Sequence, residues 1–267
     1  MIRAIVAGAA GRMGKRIIEA INNTEGIQLV GAFERGDHPD VGKDAGIVAG
    51  VGRLGVEIKD SVSDLLDKGD VLIDFTVPEA TYKHVKLVAE KGLSIVIGTT
   101  GFSDELLNEI REHAKKVRCV LSPNMSIGVN VMFKVVEELS KILGEEYDIE
   151  IVELHHRFKK DAPSGTALKI AQIIAKARGL NLEQTGVYGR RGIVGERSRS
   201  ELGIHAVRAG DITGEHIVIF GGMGERIEFV HKAHSRDCFA RGAVRAAMWV
   251  VDQPPGLYDM QDVLGLK

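Results

Sequence analysis

Cysteine is nearly absent from this 267-residue chain: Cys119 and Cys238 are the only two, and they lack the paired spacing of metal ligands. Two isolated thiols make neither a disulfide framework nor a structural zinc site, so a reducing compartment is expected. An excess of charge is also missing. The formal net charge of −2 gives no electrostatic reason to expect a nucleic-acid partner. No uninterrupted apolar run approaches the roughly 20 residues that a membrane helix requires. The opening Met1-Ile-Arg-Ala-Ile-Val-Ala-Gly8 reaches a glycine cluster at once, without the basic segment, long apolar stretch and cleavage site of a leader. It reads as a first strand, and a cytoplasmic protein with no membrane partner is expected. Internal repeats and low-complexity segments are lacking too. What remains, 44% hydrophobic and 27% charged residues, is ordinary for a globular enzyme. The length exceeds the usual single-core size and predicts two domains sharing an active-site cleft.

The first half alternates strand-like apolar runs with amphipathic helical ones. Strands are expected at 2–7, 27–33, 71–75, 94–97 and 118–121, and helices at 15–22, 62–67, 80–91 and 103–115. This alternation implies βαβ units in a Rossmann-type, doubly wound parallel sheet. In such a sheet ligands bind at the carboxyl ends of the strands, so Gly8, Phe33, Thr76, Gly98 and Ser122 should converge on one crevice. After Ser122-Pro123-Asn124-Met125 the pattern changes. A helix at 129–143, a strand at 148–155 and a helix at 165–179 precede strands at 205–209, 215–220 and 226–233, joined by glycine-rich turns. That run predicts a second, α+β domain with a mostly antiparallel sheet. The expected division is 1–126 for dinucleotide binding, 127–237 for substrate binding and oligomerisation, and 238–267 for a carboxyl-terminal helix and tail returning to the first domain. The helix at 239–251 ends where Pro254 and Pro255 follow.

Gly8-Ala9-Ala10-Gly11-Arg12-Met13-Gly14 lies between a strand and a helix. Glycines there allow a tight turn, close approach of a pyrophosphate and close helix packing, while the helix start supplies amides and partial positive charge. The spacing is GxxGxxG, a departure from the fuller GxGxxG form. Glu34 follows Gly14 by about 20 residues at the end of the second strand, where a carboxylate accepts hydrogen bonds from an adenosine ribose. Arg35 beside it offers a guanidinium to a 2′-phosphate, so NADH or NADPH is the expected cofactor. Gly98, Thr99 and Thr100, and Ser122, Pro123, Asn124 and Met125, close two later strands and offer hydroxyls and amides near the nicotinamide.

The most specific segment is Glu153-Leu-His155-His156-Arg-Phe158-Lys159-Lys160-Asp161-Ala-Pro-Ser164-Gly165-Thr166. It leaves a strand, crosses a polar loop and enters a helix at Ser-Gly-Thr, whose amides and hydroxyl can hold a carboxylate. His155 can exchange a proton near neutral pH, and Lys159 and His156 can add positive or hydrogen-bonding groups for a dianion. Together with the glycine turn and the closing Gly256-Leu-Tyr-Asp-Met-Gln-Asp-Val-Leu-Gly265, this run resembles the 4-hydroxy-tetrahydrodipicolinate (dihydrodipicolinate) reductase family of lysine and diaminopimelate biosynthesis, over nearly the whole chain.

The resemblance implies that His155 is the proton donor or acceptor, Lys159 a second proton donor, and His156, Gly165 and Thr166 the substrate binders. It further implies that Gly8 to Met13, Glu34, Arg35, Gly98 to Thr100 and Ser122 to Met125 contact the cofactor. Arg236 is implied to lie near the cleft, the substrate to be a small dicarboxylate heterocycle, and the assembly to be a homotetramer. Read without the resemblance, His155 and His156 leave rivals open: a hydrolase with a His and metal site, or a non-enzymatic NAD(P)-binding sensor. Side chains of consecutive strand residues diverge and no third ligand is suitably spaced, so no metal is expected. The arginine-rich 189–201 reads as an exposed, subunit-bridging loop, since glutamates interrupt its charge.

Overall fold

A computed structural model describes residues Met1–Lys267. The chain divides into two compact units, one formed by Met1–Ile127 with Arg236–Lys267 and the other by Gly128–Ser235.

The first unit carries β1 (Ile2–Ala7), α1 (Arg12–Asn22), β2 (Ile27–Phe33), α2 (Ala45–Ala49), β3 (Ile58–Lys59), β4 (Val71–Asp74), α3 (Pro78–Lys91), β5 (Ser94–Ile97), α4 (Asp104–Ala114) and β6 (Arg118–Leu121). Seven strands, the last of them β12 (Gly256–Tyr258) from the end of the chain, lie in the order β12-β6-β5-β4-β1-β2-β3. All the pairings are parallel, so this is the expected doubly wound sheet. Its middle strands are apolar on both faces because helices cover both. Ile17, Ile18 and Ile21 of α1 help to build the core on one side, and Val85, Val88 and Ile110 of α3 and α4 that on the other. Helix ends follow local chemistry: Pro78 opens α3 and left-handed Gly92 closes it, while the Ser103 hydroxyl caps α4. Strand order reverses between β1 and β4, which makes the carboxyl ends of these two strands the switch point where ligands bind.

Two local expectations need correction. The segment 62–67 forms only a single 3-10 turn at Leu66–Lys68. Its apolar residues Val62, Leu65 and Leu66 are buried as the pattern requires. The chain, however, must return along the sheet and pass sideways over β2 and β1 to reach β4, and a helix rising 1.5 Å per residue gives too little reach. The carboxyl-terminal segment adds a strand as well as helices: α8 (Asp237–Val250), β12 (Gly256–Tyr258) beside β6, and α9 (Met260–Leu264), which Asp259 and Asp262 start with a reciprocal capping box.

The second unit carries α5 (Ile127–Leu143, its first residue belonging to the other unit), β7 (Asp148–His155), α6 (Gly165–Ala177), α7 (Leu182–Thr185), β8 (Gly186–Val187), β9 (Leu202–Arg208), β10 (Gly214–Gly222) and β11 (Glu225–Ala233). The sheet order is β11-β10-β7-β9-β8. Its core is built from Met132 and Val136 of α5, Ile170 and Ile174 of α6, and Ile149, Ile151, Val218 and Phe220 of the sheet. The sheet is mixed: β10 pairs antiparallel with β11 and β7, whereas β9 pairs parallel with β7 and β8. Gly210-Asp-Ile-Thr-Gly214 is therefore an arch over the end of β7 rather than a hairpin turn. The Arg157 N–H donates to the Gly210 carbonyl at 3.1 Å, and the Ala209 N–H to that of His155 at 2.9 Å. The same turn residues serve either geometry, and only long-range pairing chooses. In the segment 188–201, which has no helix or strand, Arg190 and Arg197 bond to Glu150 on β7 at 2.9 and 3.0 Å.

α8 approaches the rest of its unit closely at Gly242, where an added Cβ would lie 1.7 Å from the Met125 carbonyl oxygen. Gly242→Ala is expected to destabilise the first unit by about 1–3 kcal/mol, as overpacking does, read as a lower urea midpoint.

Candidate active site

In the first unit Gly8 takes φ +63° straight after β1. A Cβ on Gly14 would lie 2.1 Å from the Gly8 carbonyl oxygen, so both glycines are required for α1 to start this close to the strand. The start of α1 has no capping side chain and no acidic residue in its first turn. Its leading amides are thus left for an anion. Glu34, at the end of β2, accepts from the Ala10 N–H at 3.0 Å. The carboxylate expected to meet a ribose therefore already sits against the glycine turn. Arg35 is exposed and pairs with Asp37 at 3.1 Å.

Gly8, Gly11, Arg12, Met13, Glu34 and Arg35 line one cleft of about 660 Å³, together with Thr76 and His84. Of the five strand ends expected to converge, Gly8, Phe33 and Thr76 line it, while Gly98 and Ser122 do not. Ala9 is buried beneath the turn. Gly98, Thr99 and Thr100 follow β5, and Ser122, Pro123, Asn124 and Met125 follow β6, on the same side of the sheet. These latter groups are partly occupied by the protein itself: the Thr81 hydroxyl donates to Thr99 at 2.8 Å, and the Ser122 hydroxyl to the Asn124 carbonyl at 2.9 Å.

One network in this unit escaped the sequence reading. Asp74, fully buried at the end of β4, accepts from the Thr76 amide and hydroxyl at 2.9 and 2.6 Å and contacts His84 Nδ1 at 2.7 Å. A carboxylate closing an apolar strand is costly unless it is paired. The signal was present in Asp74-Phe-Thr76, with His84 two turns into the following helix.

In the second unit β7 delivers Glu153 and His155 to the same side of the strand. The two meet at 2.5 Å, Oε2 to Nδ1. Arg208, opposite on β9, donates Nη1 to Oε2 at 2.9 Å and Nη2 to Oε1 at 2.7 Å, and the Ser164 N–H donates to Oε1 at 3.0 Å. Burial alone would raise the Glu153 carboxyl, but the hydrogen bonds from His155 and Arg208 outweigh it and hold the group at about 2. His216 of β10 stacks edge-on against His155 with ring centroids 5.4 Å apart. Burial, followed by the His155 charge, pushes it down to about 3. Its Nε2 lies 3.1 Å from the Ser164 hydroxyl.

Lys159 Nζ rests on both Asp161 oxygens at 2.8 Å, a bond that holds the Asp161 carboxyl below its usual range. His156 Nδ1 is buried without a hydrogen-bond partner, whereas Phe158 projects into solvent at 76% exposure. Ser164 caps α6 by accepting from the Ala167 amide, and no acidic residue follows in the first turn. Gly165 has nothing within 4 Å of where its Cβ would be. The fold does not demand glycine there, so the space is free for a ligand. His155, His156, Lys159, Gly165 and Thr166 are thus carried within one strand, loop and helix start. Sequence reasoning left Arg208 and His216 unread, because only the pairing of β7 with β9 and β10 brings them there.

Strand order, switch point, glycine cradle and uncapped helix start define a Rossmann-type, dinucleotide-dependent oxidoreductase. A family model described as "Dihydrodipicolinate reductase, N-terminus" matches residues 2–125, and one described as "Dihydrodipicolinate reductase, C-terminus" matches residues 128–264. The protein is 56% identical to a 4-hydroxy-tetrahydrodipicolinate reductase of Syntrophus aciditrophicus (strain SB), over 100% of both chains. It is 54% identical to that of Syntrophobacter fumaroxidans (strain DSM 10017 / MPOB), again over 100% of both. A solved dihydrodipicolinate reductase from Paenisporosarcina sp. TG-14, described as dipicolinate bound, superposes with TM-score 0.77 at 28% identity, covering 98% of each chain. An amine dehydrogenase from Mycobacterium smegmatis, with TM-score 0.59 at 16% identity and covering 96% of this chain and 94% of its own, shares the fold alone. The chain belongs to the dihydrodipicolinate reductase family.

Glu150 is also held at about 2: burial would raise it, but bonds from Arg190, His205 and Arg197 prevail. Both carboxyls lie below their ordinary 4.5. Folded-state values that are depressed contribute stability above the unfolded value and lose it as pH falls towards the folded one. The urea midpoint is therefore expected to drop as pH falls from 4.5 towards 2, and Glu150→Gln to flatten that drop.

Proposed function

We propose that this chain catalyses the NAD(P)H-dependent reduction of 4-hydroxy-tetrahydrodipicolinate to tetrahydrodipicolinate, in lysine and diaminopimelate biosynthesis. The observation that carries the reading is the arrangement on one strand, loop and helix start of the second unit. There an imidazole anchored through one nitrogen accompanies a poised ammonium and a helix start with open space at its first glycine. Identity of 56% over the full length of a relative that bears this activity's name supports it.

In this reading the start of α6, with Gly165 and Thr166, takes one substrate carboxylate together with Lys159 and His156. The dipicolinate described in the solved relative is a ring with two carboxylates, the chemistry such a site recognises. Lys159 leaves Asp161 for the substrate, and the ring is thereby oriented, which is the principal way a hydride transferase gains rate. His155 exchanges the proton through Nε2, with Lys159 as a second proton donor. A reduced nicotinamide, when bound, would supply the hydride for the conjugated imine ring that remains once water has left the substrate. Gly8 to Met13 would hold the pyrophosphate of the cofactor and Glu34 its adenosine ribose, while Gly98 to Thr100 and Ser122 to Met125 would offer hydroxyls and amides to its nicotinamide end. Both NADH and NADPH serve, because Glu34 favours a free 2′-hydroxyl and Arg35 a 2′-phosphate.

The second unit has the further role of assembly. Val207 and Val230 are exposed on the sheet face opposite α5 and α6, which favours a homotetramer built through that face.

The test supplies the condensation product of pyruvate and aspartate semialdehyde and follows NAD(P)H absorbance. His155→Ala and Lys159→Ala are expected to lower kcat by about 100-fold or more, the scale of general acid-base catalysis. A parent enzyme that oxidises neither cofactor refutes the reading. Arg35→Ala is expected to raise KM for NADPH by about 10-fold or more, the scale of one charge-assisted hydrogen bond, and to leave KM for NADH nearly unchanged. Light scattering that gives a mass other than four chains refutes the tetramer.

A further inference from the structure

Glu153 is the one carboxylate buried in the second unit, with no exposed surface. A carboxylate has about four acceptor sites, and here each oxygen takes two donors. Oε2 receives His155 Nδ1 and Arg208 Nη1, and Oε1 receives Arg208 Nη2 and the Ser164 N–H. Arg208 Nη2 also donates to the Asp161 carbonyl at 2.7 Å. One ion pair therefore ties down the strand end that carries His155, the loop that carries Lys159 and the start of α6.

The pair has a consequence for the imidazole. An ionised carboxylate can only accept, so His155 Nδ1 must carry its hydrogen, and Nε2 is the nitrogen left to exchange a proton. Gly214 keeps that nitrogen uncovered: a Cβ there would lie 3.1 Å from Nε2. Arg208 keeps the carboxylate anionic, so that Glu153 does not take the proton itself, and its charge offsets the pull of Glu153 on an imidazolium. The other charged or titratable groups facing His155 do not duplicate this function. His216 on β10 is held neutral by burial, His231 on β11 stands opposite His216 in register, and Lys159 is neutralised by Asp161.

We propose that Glu153, locked by Arg208, is the positioning residue that holds His155 in the tautomer protonated on Nδ1, presents Nε2 to the substrate, and sets that nitrogen in register with the carboxylate-binding start of α6. The proposal rests on the reading of His155 as the proton-exchanging group.

The direct measurement is the 15N resonance pattern of the His155 ring in the parent protein, assigned with His155→Ala. The expected result is a hydrogen on Nδ1 in the neutral ring; a hydrogen on Nε2 overturns the proposal without recourse to any Glu153 variant. In Glu153→Gln the amide can donate to Nδ1, so the ring is expected to shift its hydrogen to Nε2. The kcat is expected to fall about 100- to 10,000-fold, the range of general acid-base catalysis. KM for the nicotinamide cofactor, which the first unit binds, should stay within about 3-fold, and the pH profile of kcat should change with loss of the buried negative charge. Glu153→Asp should recover part of the kcat. An unchanged ring tautomer, or a Glu153→Gln enzyme whose kcat and pH profile match the parent, overturns the proposal. The two readings fail separately: an inactive parent defeats the proposed reaction, whereas an active parent with the hydrogen on Nε2 defeats only the role of Glu153.

Discussion

A buried Glu153–Arg208 pair is the constraint on which the second unit's chemistry depends. Taking the Glu153 carboxylate out of water costs several kcal/mol, and the attraction of the partly buried Arg208 repays this only when the remaining acceptor sites are satisfied. Both Glu153 oxygens and both terminal Arg208 nitrogens are satisfied, and the groups that share them are those that need to be held: the imidazole of His155, the amide of Ser164 and the carbonyl of Asp161. Of the pair's polar atoms, Arg208 Nε alone is buried without a partner. Removal of Arg208 would leave the Glu153 charge, which has no exposed surface, without its cation. The stability of the pair and the geometry of the site are in this sense the same property, and the loop with Lys159 inherits its position from it.

The first unit solves a different problem, the approach of a polyanion to backbone. Gly8 and Gly14 allow strand and helix to come so close that a single methyl would collide with a carbonyl, and α1 then presents a helix start that no side chain caps. Asp74 beneath the cleft is the counterpart of Glu153. It is a carboxylate fully buried among donors, with Thr76 and His84 held where they line the cavity. In both units a buried acid stands at or near the carboxyl end of a strand, Asp74 closing β4 and Glu153 two residues before the end of β7, and gathers the donors of the loop that follows.

Much of this was legible in residues alone, for stated physical reasons. Period-2 and period-3.6 apolar patterns located β1, β2, β4, β5, β6, α3 and α4, because a doubly covered parallel sheet needs apolar strands and half-buried helices. The glycine turn, Glu34, and the His155 to Thr166 run were visible because each is local: its parts lie within one turn, one strand end or one loop. The short elements α2, β3, β8 and β12 were not legible, since two to five residues carry no period.

Sequence by itself determined the doubly wound class of the first unit, the family, and the residue types gathered at each proposed site, since these follow from local pattern and contiguous motif. Tertiary structure alone decided that 62–67 runs without a helix, that the arch at 210–214 is no hairpin, and that β9 lies parallel beside β7. That last choice brings Arg208 against Glu153 from 55 residues away. Such partners leave no mark in local periodicity, because their selection depends on which strand edges find each other once the apolar faces are buried.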